Sequence, residues 1–102
     1  MRQALLAAEA AWSTGRTKSE CIEQAIQVVE DRKLQAASEG LQVAMKLDYV
    51  QMNDAKSFEG LESNVRKSED GKGSVILSGA LYVDSTRLID NILLGDVRKS
   101  FD

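Results

Sequence analysis

The chain has 102 residues, of which 43% are hydrophobic, enough for one globular domain with one core and too few for two. Its formal charge is −3 and its pI is about 5.0, so a nucleic-acid backbone would be repelled and nucleic acid is excluded as an expected partner. The sequence contains no histidine, which excludes a catalytic triad or a zinc hydrolase.

The sequence predicts a cytoplasmic protein without a membrane partner. No run of about 18 apolar residues is present, and the first residues lack the basic and apolar succession of a signal peptide. The single cysteine, Cys21, cannot form an internal disulfide or a metal site by itself, which fits a reducing compartment. Neither of the phosphate-binding motifs G-x-x-x-x-G-K-[ST] and G-x-G-x-x-G occurs in the sequence. The glycines at 71 and 73 are typical of a flexible polar turn.

Two helices are predicted in the first 40 residues. Residues 1–12 are rich in alanine and leucine, with apolar residues recurring every three or four positions, and the T-K-S-E sequence at 17–20 has the spacing of a capping box. The second helix is expected to run from about Lys18 to Gly40. Its predicted apolar stripe is Cys21, Ile22, Ala25, Ile26, Val29, Leu34 and Ala37. Because so few residues join the two helices, we expect an antiparallel pair.

Three strands are predicted in the remainder of the chain. The first begins at Leu47 and is expected to alternate, with 47, 49 and 51 on one face and 48, 50 and 52 on the other, before a turn at 53–55. Phe58 and Leu61 are expected to pack over an edge of the core, and residues 62–73 to form a solvated excursion. The second strand covers 74–83, with Gly79 admitting a close helix or a bulge, and a turn at 84–85 leads into the third.

This order of elements predicts an α+β fold in which an N-terminal helical hairpin packs on a small three-stranded antiparallel sheet. The whole chain, residues 1–102, is expected to be a single domain. The turn at 84–85 is too short for the crossover that parallel strands would need.

Several motifs occur in one order along the chain. They are D-Y-V-Q at 48–51, D-A at 54–55, S-F at 57–58, an apolar strand at 73–81 and R-L-I-D-N at 87–91, preceded by a helix at 5–16 that ends in Gly-Arg. In this order they resemble the carboxy-terminal domain of pantothenate synthetases, the pantoate-beta-alanine ligases, and the R-L-I-D-N match is complete. The family usually has glycine in the turn before the last strand, where this chain has Asp84 and Ser85. Aspartate tolerates a left-handed backbone, so the hairpin is expected to survive.

The resemblance implies a two-domain enzyme that activates pantoate with ATP and Mg²⁺ as a pantoyl adenylate and passes the acyl group to beta-alanine. The family's amino-terminal nucleotide-binding domain carries paired histidines and a serine-rich loop, neither of which this sequence contains. The resemblance therefore implies that the chain is the lid domain, and that its partner is the missing N-terminal catalytic domain. The chain alone is expected to be inactive and to bind no cofactor or metal, and the full enzyme could be a homodimer.

No catalytic residue is expected in this chain, and three residues are candidates for facing the active site or the other domain. Arg87 is the cation of the one specific motif, and it could contact an anionic intermediate or the domain boundary. The favoured interpretation for Arg87 is instead an ion pair with Asp90 or another carboxylate. Asp90 and Asn91 are disfavoured in mid-strand and are expected to bond to backbone groups at a bend or bulge, with a direct ligand role as the alternative.

A second function class also fits the sequence. A free-standing α+β interaction module without enzymatic activity would bind a partner through the helical hairpin or an exposed sheet edge. Such a module would account for the absence of catalytic motifs without requiring a second domain.

Overall fold

The computed structural model describes residues 1–66 and 74–94. Its elements are α1 (Arg2–Ser13), α2 (Lys18–Ser38), β1 (Met45–Asp54), β2 (Val75–Val83) and β3 (Thr86–Leu94). The strands form one antiparallel sheet in the order β1-β2-β3, and both helices pack on it. The predicted α+β fold is confirmed. The glycine turn predicted at 71–73, with most of the predicted polar excursion, lies outside the described residues.

The two helices form the predicted antiparallel pair. Thr17 and Glu20 make the expected capping box, in which the Thr17 side chain accepts from the Glu20 N–H and the Glu20 carboxylate accepts from the Thr17 N–H. This backbone N–H holds the pKa of Glu20 below its usual range. At the opposite end of the pair, Arg32 of α2 donates to the Gln3 side chain of α1. No helix in the described part of the chain is long and apolar enough to cross a membrane.

The apolar stripe predicted for α2 is wrong in its second half. Leu34 is 70% exposed and Ala37 is exposed, whereas Ala36 is buried. The reason is the helical period, because Leu34 lies about 140° around the helix from the buried Val29 and Ala36 lies within about 20° of it. Ile26, also predicted to belong to the stripe, is 38% exposed.

The alternation predicted for β1 is also wrong, because the strand contains a bulge. Leu47 pairs with Leu81 and Tyr49 pairs with Ala80, so Asp48 is an extra residue without an opposite partner in β2. An extra residue reverses the alternation beyond it. Leu47 therefore shares the helix-facing side of the sheet with Val50 and not with Tyr49.

The segment after β1 runs back along the outer edge of this strand. Gly60 bridges Asn53, the Leu61 N–H donates to the Met52 carbonyl at 3.0 Å, and the Asp54 N–H donates to the Glu59 carbonyl at 2.9 Å. The segment then reaches α2, where the Lys18 N–H donates to the Val65 carbonyl and the Ser19 N–H to the Ser63 carbonyl. The free edge of β1 is thus covered by the chain itself at residues 52–54.

Phe58 does not pack over the core as predicted. It is 69% exposed and has a φ of 63°, a left-handed conformation that turns the chain back at this point and directs the ring outward. Leu61 does pack against the core as a partly buried residue.

The hairpin between β2 and β3 turns through Asp84, whose φ of 54° is the left-handed conformation expected there. Its backbone N–H donates to the Ala44 carbonyl at 2.7 Å, and its carboxylate accepts from the Ala44 N–H at 3.1 Å. These two bonds tie the hairpin turn to the start of β1. Asp84 thus provides the left-handed backbone of the turn and also connects the turn to the first strand.

The core lies between the helices and one face of the sheet. Gly79 permits their close approach, since a Cβ at this position would lie 2.5 Å from Met1 Cε and 3.2 Å from Leu5 Cδ2. The prediction that Gly79 admits a close helix is confirmed. The buried core residues are Ala4, Leu5, Ala8, Trp12, Cys21, Ala25, Val29, Met52, Val75, Leu77, Leu81 and Leu94.

Candidate functional site

Arg87 lies on the face of the sheet that the helices leave uncovered, opposite Tyr82 of β2. Its guanidinium donates to Asp48 Oδ2 through Nε at 3.1 Å and through Nη2 at 2.8 Å. The Arg87 Cζ atom lies 5.9 Å from the ring centroid of Tyr49 and 6.0 Å from that of Tyr82. A cation held by one carboxylate and flanked by two aromatic rings is therefore the main polar feature of this face.

The bulge in β1 explains how this cluster forms. Arg87 belongs to one edge strand and Asp48 to the other, with β2 between them. Asp48 is the unpaired residue of the bulge, and it precedes Tyr49, which resumes pairing at Ala80. A bulge re-aims side chains out of the regular pleat, so the carboxylate is placed where a long arginine side chain can meet it across the middle strand.

Arg87 forms an ion pair with a carboxylate, as the favoured interpretation predicts. The carboxylate is Asp48 and not Asp90. The Arg87 side chain remains 42% exposed. Its two bonds use Nε and Nη2, and both go to a single oxygen of Asp48. Whether Arg87 also contacts a substrate or another domain stays a prediction.

Asp90 lies on the opposite face of the sheet from Arg87. It pairs with Gly79 in register and reaches Arg2 of α1, with Arg2 Nε 2.8 Å from Asp90 Oδ2 and Arg2 Nη2 2.8 Å from Asp90 Oδ1. This two-bond contact fastens the first helix to the third strand. Asp90 therefore acts between the layers and is not brought together with Arg87.

Asn91 lies on the uncovered face and is exposed. Its backbone N–H donates to Asp90 Oδ1 at 2.9 Å, so the bond to a backbone group expected of Asp90 is present. The bend or bulge expected at Asp90 and Asn91 is absent, because β3 keeps an unbroken register with β2 from Thr86 to Leu94. The irregularity occurs instead in β1, at Asp48.

Asp48 and Arg2 were not identified from the sequence as partners of Arg87 and Asp90. Asp48 opens the D-Y-V-Q motif, which was the available signal, but a bulge cannot be read from apolar alternation. Arg2 lies 88 positions from Asp90, and no local pattern connects residues so far apart.

The other reactive groups that the structure describes do not form a site. Cys21 is fully buried on α2, and this burial raises the pKa of its thiol, which suits a core residue and not a reactive thiolate. Within residues 1–66 and 74–94, no three His, Cys, Asp or Glu side chains come together as metal ligands.

Comparison with known protein families identifies a match. The family model described as Pantoate-beta-alanine ligase matches residues 1–93, which is nearly the whole chain and includes the R-L-I-D-N motif at 87–91. No curated protein matches the chain. The matched region covers the five elements of the fold except Leu94, the last residue of β3, and it contains both ion pairs that join the layers and the strands. The chain therefore belongs to the pantoate-beta-alanine ligase family.

Proposed function

We propose that this chain is the lid domain of an ATP-dependent ligase that makes pantothenate in the cytoplasm. In the first half-reaction, a pantoate carboxylate oxygen attacks the α-phosphorus of ATP, giving pantoyl adenylate and pyrophosphate. In the second half-reaction, the amine of beta-alanine attacks the acyl carbon. The bond between that carbon and the phosphate oxygen of AMP breaks, and AMP is released. The observation that carries the proposal is the family match over residues 1–93.

The proposal assigns ATP, Mg²⁺, pantoate and beta-alanine to a separate N-terminal catalytic domain. The absence of histidine from the sequence supports this division, because the paired histidines of the resembled family cannot come from this chain. The acidic groups of the described residues support it as well, since they are dispersed among ion pairs and helix caps and do not converge on a metal.

The lid would act by closing over the acyl adenylate and excluding water. An acyl adenylate is an activated ester, so any water admitted would compete with the amine of beta-alanine. A lid of this kind needs a rigid body with one surface free to meet the other domain. The two-layer core supplies the rigid body, and we propose that the uncovered sheet face, which carries Arg87 and both of its flanking tyrosines, is the surface that meets the catalytic domain.

We assign Arg87 a positioning role within this lid. Its bonds to Asp48 join the two edge strands across β2, which keeps the uncovered face in one shape. In a full-length enzyme, Arg87→Ala should lower the melting temperature while kcat stays within about twofold, and Arg87→Lys should recover only part of the stability, because lysine lacks the planar fork. A fall in kcat at unchanged melting temperature would place Arg87 at the reacting groups instead.

The test of the lid proposal compares three proteins. They are this chain alone, the catalytic domain of a family member alone, and that catalytic domain fused to this chain in place of its own carboxy-terminal domain. We expect no AMP release from the chain alone, and a higher ratio of pantothenate formed to AMP released in the fusion than in the catalytic domain alone. ATP-dependent ligation by the chain alone, or an unchanged ratio in the fusion, would contradict the proposal.

The interaction-module alternative is favoured by one observation, the exposed apolar side chains of β3. The fusion experiment separates it from the lid proposal. An interaction module would leave the product ratio unchanged, whereas a lid must change how much adenylate is lost to water.

A further inference from the structure

We propose that a cavity between the two helices and the sheet binds a medium-chain aliphatic carboxylate, with the chain among apolar side chains and the carboxylate on Arg32. The cavity has a volume of about 290 Å³. It lies on the helix side of the sheet, near the end where β2 turns into β3, and Arg87 lies on the other face. The inference is therefore independent of the lid proposal.

The walls of the cavity are apolar and come from both helices and from the first two strands. They are formed by Met1, Ala4, Val28, Val29, Met45 and Leu81. Ala4, Val29 and Leu81 are buried core residues, and the other three pack against the core. The walls are thus held in place by the packing of the fold itself, so the cavity is formed before any ligand arrives.

The polar residues of the cavity are Arg2, Gln3 and Arg32, and all three are exposed at its rim. Arg2 gives its bonds to the two carboxylate oxygens of Asp90, so its charge is matched. Arg32 donates to the neutral side chain of Gln3, and no carboxylate in the part of the chain that the structure describes forms an ion pair with it. A guanidinium has five donors, so Arg32 brings free donors and an unmatched positive charge to an apolar cavity.

This combination determines the chemistry of the ligand. The walls offer neither a hydrogen-bonding side chain nor an aromatic ring, so they suit a flexible aliphatic chain better than a sugar or a nucleobase. At the rim, one unmatched positive charge suits one carboxylate, which can accept two bonds from the planar guanidinium of Arg32. A phosphate dianion would bring a second negative charge that no free cation of the cavity matches.

The volume of the cavity sets the length of the chain. A water-sized group occupies about 30 Å³, so the cavity holds about ten such groups. Octanoate, with eight carbons and two oxygens, has this number of non-hydrogen atoms. Its chain would be removed from water along the apolar walls while its carboxylate stays at the rim. Such a ligand would contact both layers of the fold, so its binding should stabilise the folded chain.

Titration of the nitrogen-15-labelled 102-residue chain with octanoate at neutral pH, followed by NMR, tests the proposal. We expect saturable shifts centred on the amides of Ala4, Val28 and Leu81, with a dissociation constant on the order of 0.1–1 mM for a ligand of this size. At ten times this concentration the melting temperature should rise by about 5 °C. Octanamide, which has the same length and no charge, should bind at least fivefold more weakly, and acetate should not saturate the site.

Three variants locate the binding. Arg32→Gln should weaken octanoate binding at least fivefold and leave the melting temperature of the free chain unchanged, because it removes a charge at an exposed position. The matched control is Lys33→Gln, which removes the same charge one residue away and outside the cavity, and should leave binding unchanged. Val28→Phe should fill the cavity and abolish binding in a chain that still melts cooperatively.

Four results would overturn the proposal. Two of them are equal affinities for octanoate and octanamide, and an octanoate affinity that Arg32→Gln leaves unchanged. The third is octyl phosphate binding as tightly as octanoate, which would contradict the choice of a carboxylate. The fourth is a shift of the same amides when the chain is concentrated without ligand, which would assign the cavity to a second copy.

Discussion

The two faces of the sheet have different roles. On the face under the helices, Leu77 and Met52 are almost completely buried, and Gly79 lets α1 approach the backbone. On the other face, Tyr82, Ile89 and Leu93 stay between about a third and a half exposed, and the ordering contact is the pair between Arg87 and Asp48. Burial therefore holds the first face together, while the second keeps its shape largely through polar and aromatic contacts.

This difference matters for a small domain. A chain of about 100 residues has only about 5–15 kcal/mol of net stability, so one buried layer must supply most of it. The uncovered face is then free to be selected for contact with other molecules. The lid proposal requires such a free face, and the comparison becomes quantitative when the two faces are perturbed separately.

The largest expected effect is at Leu77, whose side chain is fully buried beneath the helices. Leu77→Ala should lower the free energy of unfolding by about 3 kcal/mol, because it removes buried methyl groups and leaves a cavity. The matched control is Leu93→Ala on the uncovered face, where the loss should stay below about 1 kcal/mol. Urea denaturation followed by circular dichroism measures both, and equal losses would show that the uncovered face is covered in solution.

A smaller effect is expected at Gly79, where α1 meets the sheet. Gly79→Ala should cost about 1–2 kcal/mol, because the added Cβ would displace Met1 Cε and press on Leu5 Cδ2. The loss is moderated because the end of a methionine side chain can move. Gly60→Ala is the control, since its nearest neighbour, Asn53 Nδ2, would be 4.0 Å away. Thermal melts should separate the two variants, and a neutral Gly79→Ala would contradict the close approach.

Much of the buried face could be predicted from the sequence, because burial leaves a periodic signal. Leu5, Ala8 and Trp12 recur on one side of α1, and the odd positions of β2 form an apolar row, as the structure confirms. The prediction failed in α2, where Leu34 was assigned to the stripe although the helical period places it in solvent.

The candidate site was less predictable for a physical reason. Arg87 was identified from its motif, but its partner depends on a bulge, and a bulge shifts the pattern by one residue without an apolar signature of its own. Asp90 was grouped with Arg87 because the two are close in sequence, yet alternation along β3 places them on opposite faces. Contacts between residues 39 and 88 positions apart leave no local trace.

The smallest expected effects distinguish the two ion pairs. Arg2 and Asp90 exchange two parallel bonds, one to each carboxylate oxygen, whereas both Arg87 bonds go to one oxygen of Asp48. The fork geometry favours the first pair, so double-mutant cycles to alanine should give a coupling of about 1 kcal/mol for it and about 0.5 kcal/mol for the second. Both values should fall in 1 M salt, since all four side chains are partly exposed. A coupling between Arg87 and Asp48 as large as that between Arg2 and Asp90 would contradict this order, and the uncovered face would then be held by an ion pair as strong as the one that fastens α1 to the sheet.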